Sequence, residues 1–204
     1  MNNKILVLAS GGLDSSVVLA LYKYMNYDIT VMYFDYGNLN SKAEKEALMK
    51  LCKKLNITKI EDVKLNINWS SGGCLVEDNE DMYIEMRNLI FLSNAISYAQ
   101  AKGIKSIAVG FIGGEGDYDD TTEQFLYDLN TLSINTTGIL IKAPLKLYNK
   151  SEVYKLGLKF GVNLKNTYSC NKGQGKPCGK CYDCKDLLDL VEQENIPNEL
   201  NPFK

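Results

Sequence analysis

The chain has 204 residues, 45% of them hydrophobic, and its 23 basic and 25 acidic side chains leave a formal net charge of −2. That length suits one α/β domain with a small appendage, and the near-neutral balance without a Lys/Arg-rich run argues against direct nucleic-acid binding. No apolar run reaches the roughly 18 residues a membrane helix needs, so no membrane association and a cytoplasmic location are expected, while the complete lack of histidine removes Ser-His and Cys-His hydrolases and imidazole proton shuttles.

Residues 4–9 form a short apolar run suited to a buried parallel strand, and residues 15–25 carry apolar side chains at helical spacing. DITVMYF over 28–34 alternates and is β-branched, predicting a second strand. A helix is expected over 41–55, with Ser41 and Glu44 as a capping box. A weaker strand follows at 60–65, then a loop over 66–82 with Gly72-Gly73 and an acidic cluster. Residues 88–101 restore a helix, with Gly103 placed as its C-terminal glycine. A strand at 107–112, a helix at 121–132, a strand at 138–141 and a helix at 151–160 complete the alternation. From about residue 166 the composition turns to Cys, Gly and Lys before a final helix over 186–194, ended by Pro197. Alternation of this kind predicts a doubly wound parallel sheet with helices on both faces, whose ligands bind outside the carboxyl ends of the strands. The expected organisation is a nucleotide-binding α/β domain over 1–165 and a metal-binding module over 166–204.

Between the first strand and first helix stands Ser10-Gly11-Gly12-Leu13-Asp14-Ser15-Ser16. Two glycines allow close backbone approach, the helix N-terminus offers N–H groups to an anion, and the serines add hydroxyls. The spacing is neither the Walker pattern nor the dinucleotide G-x-G-x-x-G. Taken alone, the same residues also describe a plain strand-to-helix turn with a serine cap.

Cys170-x7-Cys178-x2-Cys181-x2-Cys184 has the compact spacing of a tetrahedral zinc site. Four protein thiolates would leave no open position, so the metal's role would be structural. An iron–sulfur cluster, a redox pair and buried free thiols are the alternatives. Cys52 and Cys74 read as bystanders.

SGGLDSS after a first strand resembles the pyrophosphate loop of the PP-loop ATP pyrophosphatase superfamily. Together with the cysteines it is similar to the 7-cyano-7-deazaguanine synthase family of the queuosine pathway. Further likenesses are Phe34-Asp35-Tyr36-Gly37, Arg87-Asn88-Leu89 with Phe91-Leu92-Ser93, Pro144-Leu145 with Asn149-Lys150 and Glu152, and Thr167-Tyr168-Ser169-Cys170. The resemblance implies a ligase that activates 7-carboxy-7-deazaguanine with ATP and Mg²⁺, lets ammonia displace AMP to give the amide, and dehydrates it to the nitrile with a second ATP. It also implies ATP contacts from Ala9 through Ser16 and from Asp35, catalytic roles for Asp14, Ser15, Arg87 and Lys150, and substrate contacts from Arg87, Asn88, Tyr118 and Asp120, the last accepting from the base's exocyclic amine. Asn88 alone would read as a helix N-cap, Lys150 as an exposed lysine, and Asp120-x-x-Glu123 as a capping box.

The chain departs from the family where Gly-Tyr-Pro-Asp-Cys-Arg is usual, reading Asp117-Tyr118-Asp119-Asp120-Thr121-Thr122. Glu85 stands where a proline is usual, Gly37-Asn38-Leu39-Asn40 replaces the family's glutamine and histidine, and Leu187 replaces an arginine. A related acid, an amide end product, or an acceptor amine other than ammonia fits these differences. So does a noncatalytic zinc-bearing interaction protein, against which the intact loop speaks. A tRNA-base-adenylating enzyme would want a basic extension that is absent. Glu115, Asp117, Asp119 and Glu123 are candidate proton acceptors, and a homodimer through the zinc module and last helix is an open expectation.

Overall fold

The sheet is five-stranded and wholly parallel, with β1 (Lys4–Leu8), β2 (Asp28–Asp35), β3 (Lys59–Lys64), β4 (Ser106–Ala108) and β5 (Leu140–Lys142) in the order β3-β2-β1-β4-β5. The helices are α1 (Leu13–Tyr24), α2 (Ser41–Lys54), α3 (Arg87–Lys102), α4 (Glu123–Thr137), α5 (Lys150–Lys159) and α6 (Tyr182–Gln193), with a short 3₁₀ turn at Leu164–Asn166. The protein is represented by a computed structural model that describes residues 3–70, 75, 83–113, 118–172 and 175–204. Most of the expected 66–82 loop, Cys74, Glu115 and Asp117 lie outside the described residues.

The central strand shows why the chain adopts this arrangement. Ile5, Leu6 and Val7 are fully buried, so β1 must be covered on both faces, as parallel sheets require. On one face Ile5 and Val7 meet Leu13, Val17 and Val18 of α1, Leu48 of α2, Val153 of α5, and Leu187 and Leu190 of α6. On the other, Leu6 joins Met32, Phe34 and Ile107 under Leu92, Ala95 and Ala99 of α3 and Leu129 of α4. The alternation of β1 thus assigns each helix its side. The charged edge strand β3, Lys-Ile-Glu-Asp-Val-Lys, has no fully buried residue, and its charges discourage pairing with another chain.

Several element boundaries differ from those expected. Asn40, not Ser41, is the N-cap of α2, and Glu44 bonds the side chains of Asn38 and Asn40 instead of closing a capping box. In α4 the cap is Thr122, whose Oγ1 accepts from the Phe125 N–H, so Asp120 and Glu123 do not form a capping box. That helix continues to Thr137, and Thr131, Thr136 and Thr137 donate their hydroxyls to carbonyls one turn back. Gly138, expected to start a strand, is instead the left-handed C-cap of α4 with φ 69°. Gly103 does end α3 in that conformation, with φ 66°. β4 is shorter than 107–112 because the chain leaves the sheet near Gly110 to pass against the α1 N-terminus. α6 begins four residues before 186, with Cys181 as its N-cap. Helix α3 starts at Arg87, which places Asn88 inside its first turn.

Candidate functional site

At the strand order's reversal, between β1 and β4, the loop Ser10–Ser16 opens a cavity of about 340 Å³, the place where doubly wound sheets bind ligands. Gly11 has φ +97°, and a Cβ there would lie 2.4 Å from the Glu44 carbonyl oxygen. Gly110, just beyond β4, is also crowded, since its Cβ would sit 2.9 Å from the Ser15 nitrogen. Both glycines let backbone pack on backbone around the α1 N-terminus. Gly12 caps that helix without a side-chain cap bond, which leaves first-turn N–H groups for a ligand. Serines shape the loop: Ser10 Oγ accepts from the Gly12 N–H, while Ser15 Oγ accepts from the Ser10 N–H and donates to the Gly12 carbonyl, each at 3.3 Å. Ser16 Oγ is buried without a partner among the described residues.

Lys150 reaches the same mouth from α5. Asn149 and Glu152 form a reciprocal capping box that fixes this first turn, and Lys150 Nζ lies 3.1 Å from Asp14 Oδ2 and 3.5 Å from Asp186 Oδ2. Burial alone would lower its pKa, but the carboxylates of Asp14 and Asp186 outweigh burial and raise it, so the ammonium is held charged. Asp14 Oδ1 is buried with no partner among the described residues.

The opposite wall is aromatic. Phe34 of β2 stacks on Phe91 of α3 with centroids 4.3 Å apart, and the Arg87 guanidinium lies 5.7 Å from the Tyr36 ring centre and 6.0 Å from that of Phe91. Arg87 also donates to Tyr36 Oη at 3.2 Å. Asn88 lines the cavity beside it, held by Asp120, which is 2% exposed and accepts from the Asn88 N–H at 2.6 Å and from its Nδ2 at 3.1 Å.

The cavity therefore gathers Ala9, Ser10, Gly12, Leu13, Asp14, Ser15, Arg87, Asn88 and Lys150 of the expected set. The remaining members lie elsewhere. Gly11 packs against the α2 backbone; Ser16 is buried within α1; Asp35 accepts from the Gly37 N–H; Tyr118 is exposed against Tyr83; Asp120 faces Asn88. Sequence reasoning missed Glu44, Gly110, Asn171, Asp183 and Asp186, all lining the cavity. Asp183 and Asp186 carry a signal in retrospect, as acidic residues one helical turn apart beside the last cysteine. Glu44 carries none, because its spacing from Ser41 fits a capping box.

The tail covers this mouth. The Tyr168 N–H donates to the Gly11 carbonyl at 2.9 Å, and Asn171 Nδ2 donates to Asp183. Behind it the sulfurs of Cys170, Cys178, Cys181 and Cys184 all lie within 4.8 Å of one another. Cys178 Sγ accepts from the N–H groups of Lys180 and Cys181, and Cys170 Sγ from that of Cys178. Burial opposes the Cys178 thiolate, yet those N–H groups bring its pKa down to about 7. Burial and the charge of its neighbours push Cys184 up. Four thiols facing one point with this mutual repulsion could hold a metal cation, which would relieve it.

The queuosine biosynthesis protein QueC family model matches residues 4–189. Among curated proteins, a 7-cyano-7-deazaguanine synthase of Rickettsia bellii is 30% identical, covering 97% of each chain, and one of Campylobacter jejuni is 32% identical over 98% of each. Solved structures share the fold. The U34-tRNA thiolase NcsA from Methanococcus maripaludis, described with its [4Fe-4S] cluster, matches at TM-score 0.59 and 16% identity over 99% of this chain and 70% of its own. NMN synthetase from Francisella tularensis matches at 0.52 and 16% identity over 98% and 86%.

Proposed function

Since the chain belongs to the QueC family of queuosine biosynthesis proteins, we propose that it makes 7-cyano-7-deazaguanine from 7-carboxy-7-deazaguanine, ATP and ammonia. The observation that carries this reading is the meeting of the SGGLDSS loop, Lys150 and Asp14 at one cavity mouth with Arg87 across from them. The loop N–H groups and Lys150 receive the β- and γ-phosphates. A carboxylate oxygen of the acid attacks the α-phosphorus, and the bond to pyrophosphate breaks with its electron pair leaving on the pyrophosphate. Arg87 steadies the acid's carboxylate and the charge of the forming adenylate. Phe34, Tyr36 and Phe91 offer the flat apolar wall that a heterocycle needs. Ammonia then displaces AMP, and a second adenylation, on the amide oxygen, permits loss of AMP and protons to leave the nitrile. Asp120 acts on the acid through Asn88, which it positions.

Asp14 Oδ1, buried at the cavity mouth, is the oxygen available to magnesium, which would neutralise phosphate charge when bound with ATP. For the four cysteines the metal is zinc. With Zn–S near 2.3 Å, tetrahedral sulfurs stand about 3.8 Å apart, and Cys178 and Cys184 are 3.9 Å apart. A cluster whose sulfurs each bind a different iron spreads them further. Zinc would fold the 166–204 module onto the 1–165 domain and take no part in the chemistry. The reaction belongs in the cytoplasm; no helix among the described residues is long and apolar enough to cross a membrane.

Exchange of labelled pyrophosphate into ATP, measured with the acid but without ammonium, tests this. Exchange should depend on the acid and fall about 10²–10³-fold in Lys150→Met with the bound metal unchanged. Exchange that ignores the acid, or survives the substitution intact, would overturn the reading.

A further inference from the structure

Ammonium at neutral pH is mostly a protonated species with no lone pair to attack a carbonyl, so a proton acceptor within reach of the acyl group would speed the amide-forming step beyond what the small free-ammonia fraction allows. The chain has no histidine to serve. Among the described carboxylates that line the cavity, Asp14 and Asp186 pair with the Lys150 ammonium, and Asp183 accepts from Asn171 beside the cysteine cluster. Glu44 differs in kind, because its hydrogen-bond donors among the described residues are two side-chain amides.

Helix α2 carries Glu44 in its first turn, facing the cavity beneath the Gly11 loop. Its two oxygens accept one amide proton each, Oε2 from Asn38 Nδ2 and Oε1 from Asn40 Nδ2, both at 3.1 Å. Asn38 and Asn40 are only 3% and 2% exposed and are tied to each other by a 2.6 Å bond from Asn38 Nδ2 to Asn40 Oδ1. This pair clamps the carboxylate in one orientation while leaving each oxygen a second lone pair. The charged and titratable groups around it are Arg87 from α3, Asp183 from α6 and Tyr33 from β2, and Tyr33 Oη already donates to the Ser41 carbonyl.

We propose that Glu44 is the catalytic residue that takes the proton from the incoming ammonium in the amide-forming step. The inference rests on the proposed adenylation chemistry. Ammonium passes one proton to the Glu44 carboxylate. The freed nitrogen lone pair forms the C–N bond at the acyl carbon, and the C–O bond to AMP breaks with its electron pair leaving on the phosphate. The nitrogen's second proton goes to water, and Glu44 returns its own to solvent after AMP departs. Burial, working against the pull of Arg87 and the two amides, raises the pKa of Glu44 to about 8, so at pH 7 the ionised minority is the form that takes the proton, and that fraction grows toward pH 8.

The test compares the parent with Glu44→Gln, near in shape, and Glu44→Asp, which keeps the carboxylate. Three rates are read at pH 7: acid-dependent pyrophosphate exchange without amine, amide formation from ammonium, and hydroxamate formation from hydroxylamine, which is largely unprotonated at that pH. Glu44→Gln should keep exchange and hydroxamate formation within about threefold and lose about 10²–10⁴-fold in amide formation. Glu44→Asp should recover part of that loss, and the deficit of Glu44→Gln should shrink as rising pH supplies free ammonia. Amide formation at the parent rate in Glu44→Gln would overturn the inference, as would an equal loss with ammonium and hydroxylamine or a collapse of exchange. Preserved exchange shows the variant is folded. Absence of acid-dependent exchange in the parent would instead sink the adenylation reading, and this inference with it.

Discussion

Replacing Gly11 with alanine tests whether the pyrophosphate loop is pressed against α2. A Cβ at that position would stand 2.4 Å from the Glu44 carbonyl oxygen and 3.0 Å from the Leu48 nitrogen. Both are backbone atoms, so no side-chain rotation relieves the overlap. Left-handed backbone costs a non-glycine residue about 1–2 kcal/mol and overpacking about 1–3 kcal/mol. The expected loss is therefore about 2–5 kcal/mol, or roughly 4–20 °C in Tm for a chain of this size. Gly37 supplies the control: its φ is +84°, yet among the described residues no atom lies within 4 Å of the place a Cβ would take. Gly37→Ala should accordingly lose only the conformational part, about 1–2 kcal/mol. Thermal unfolding by circular dichroism at equal metal loading compares the two. Equal losses in Gly11→Ala and Gly37→Ala would refute the close approach of loop and helix.

Glu44 also makes a prediction about stability. Its folded pKa of about 8 lies above the ordinary 4.5, so the folded chain binds the proton more tightly than the unfolded one. Rising pH then favours unfolding between about 4.5 and 8, and Glu44→Gln should be more stable than the parent by a few kcal/mol at pH 8 and level with it at pH 4.5 in urea titrations; the opposite ordering would show a carboxylate satisfied as an anion. Cys181→Ser should lose bound metal and unfold at lower temperature, because structural metal binding is folding free energy; a variant as stable as the parent, with no metal in either, would remove the metal from the account. Asp120→Ala leaves the Asn88 N–H without its acceptor and should destabilise the protein by about 1–3 kcal/mol while raising KM for the acid, and an unchanged melting curve would contradict the role of Asp120 in holding α3.

The alternation of strands and helices was legible because β1 and β2 are apolar on both faces and the helices that follow them carry apolar residues at helical spacing. The loop and the cysteines were legible because their chemistry depends on local spacing. Boundaries were lost where partners override local signals: Asn38 and Asn40 draw Glu44 away from its helix end, and Gly138 caps α4 where a strand start was expected. The polar floor of the cavity was hidden for a different reason. Glu44, Asn171, Asp183 and Asp186 meet only because α2 and the cysteine-bearing tail close over one loop, and no short stretch of sequence records that meeting. Gly110 likewise reads as an ordinary strand-end glycine until Ser15 is found against it.

Synthesis of the nitrile is tested most directly by mass spectrometry of the products after incubation of metal-loaded protein with 7-carboxy-7-deazaguanine, ATP, Mg²⁺ and ammonium. The prediction is 7-cyano-7-deazaguanine, with two AMP and two pyrophosphate released for each molecule formed and the amide as the intermediate. A folded, metal-loaded sample that yields no AMP and leaves the acid unchanged would contradict it.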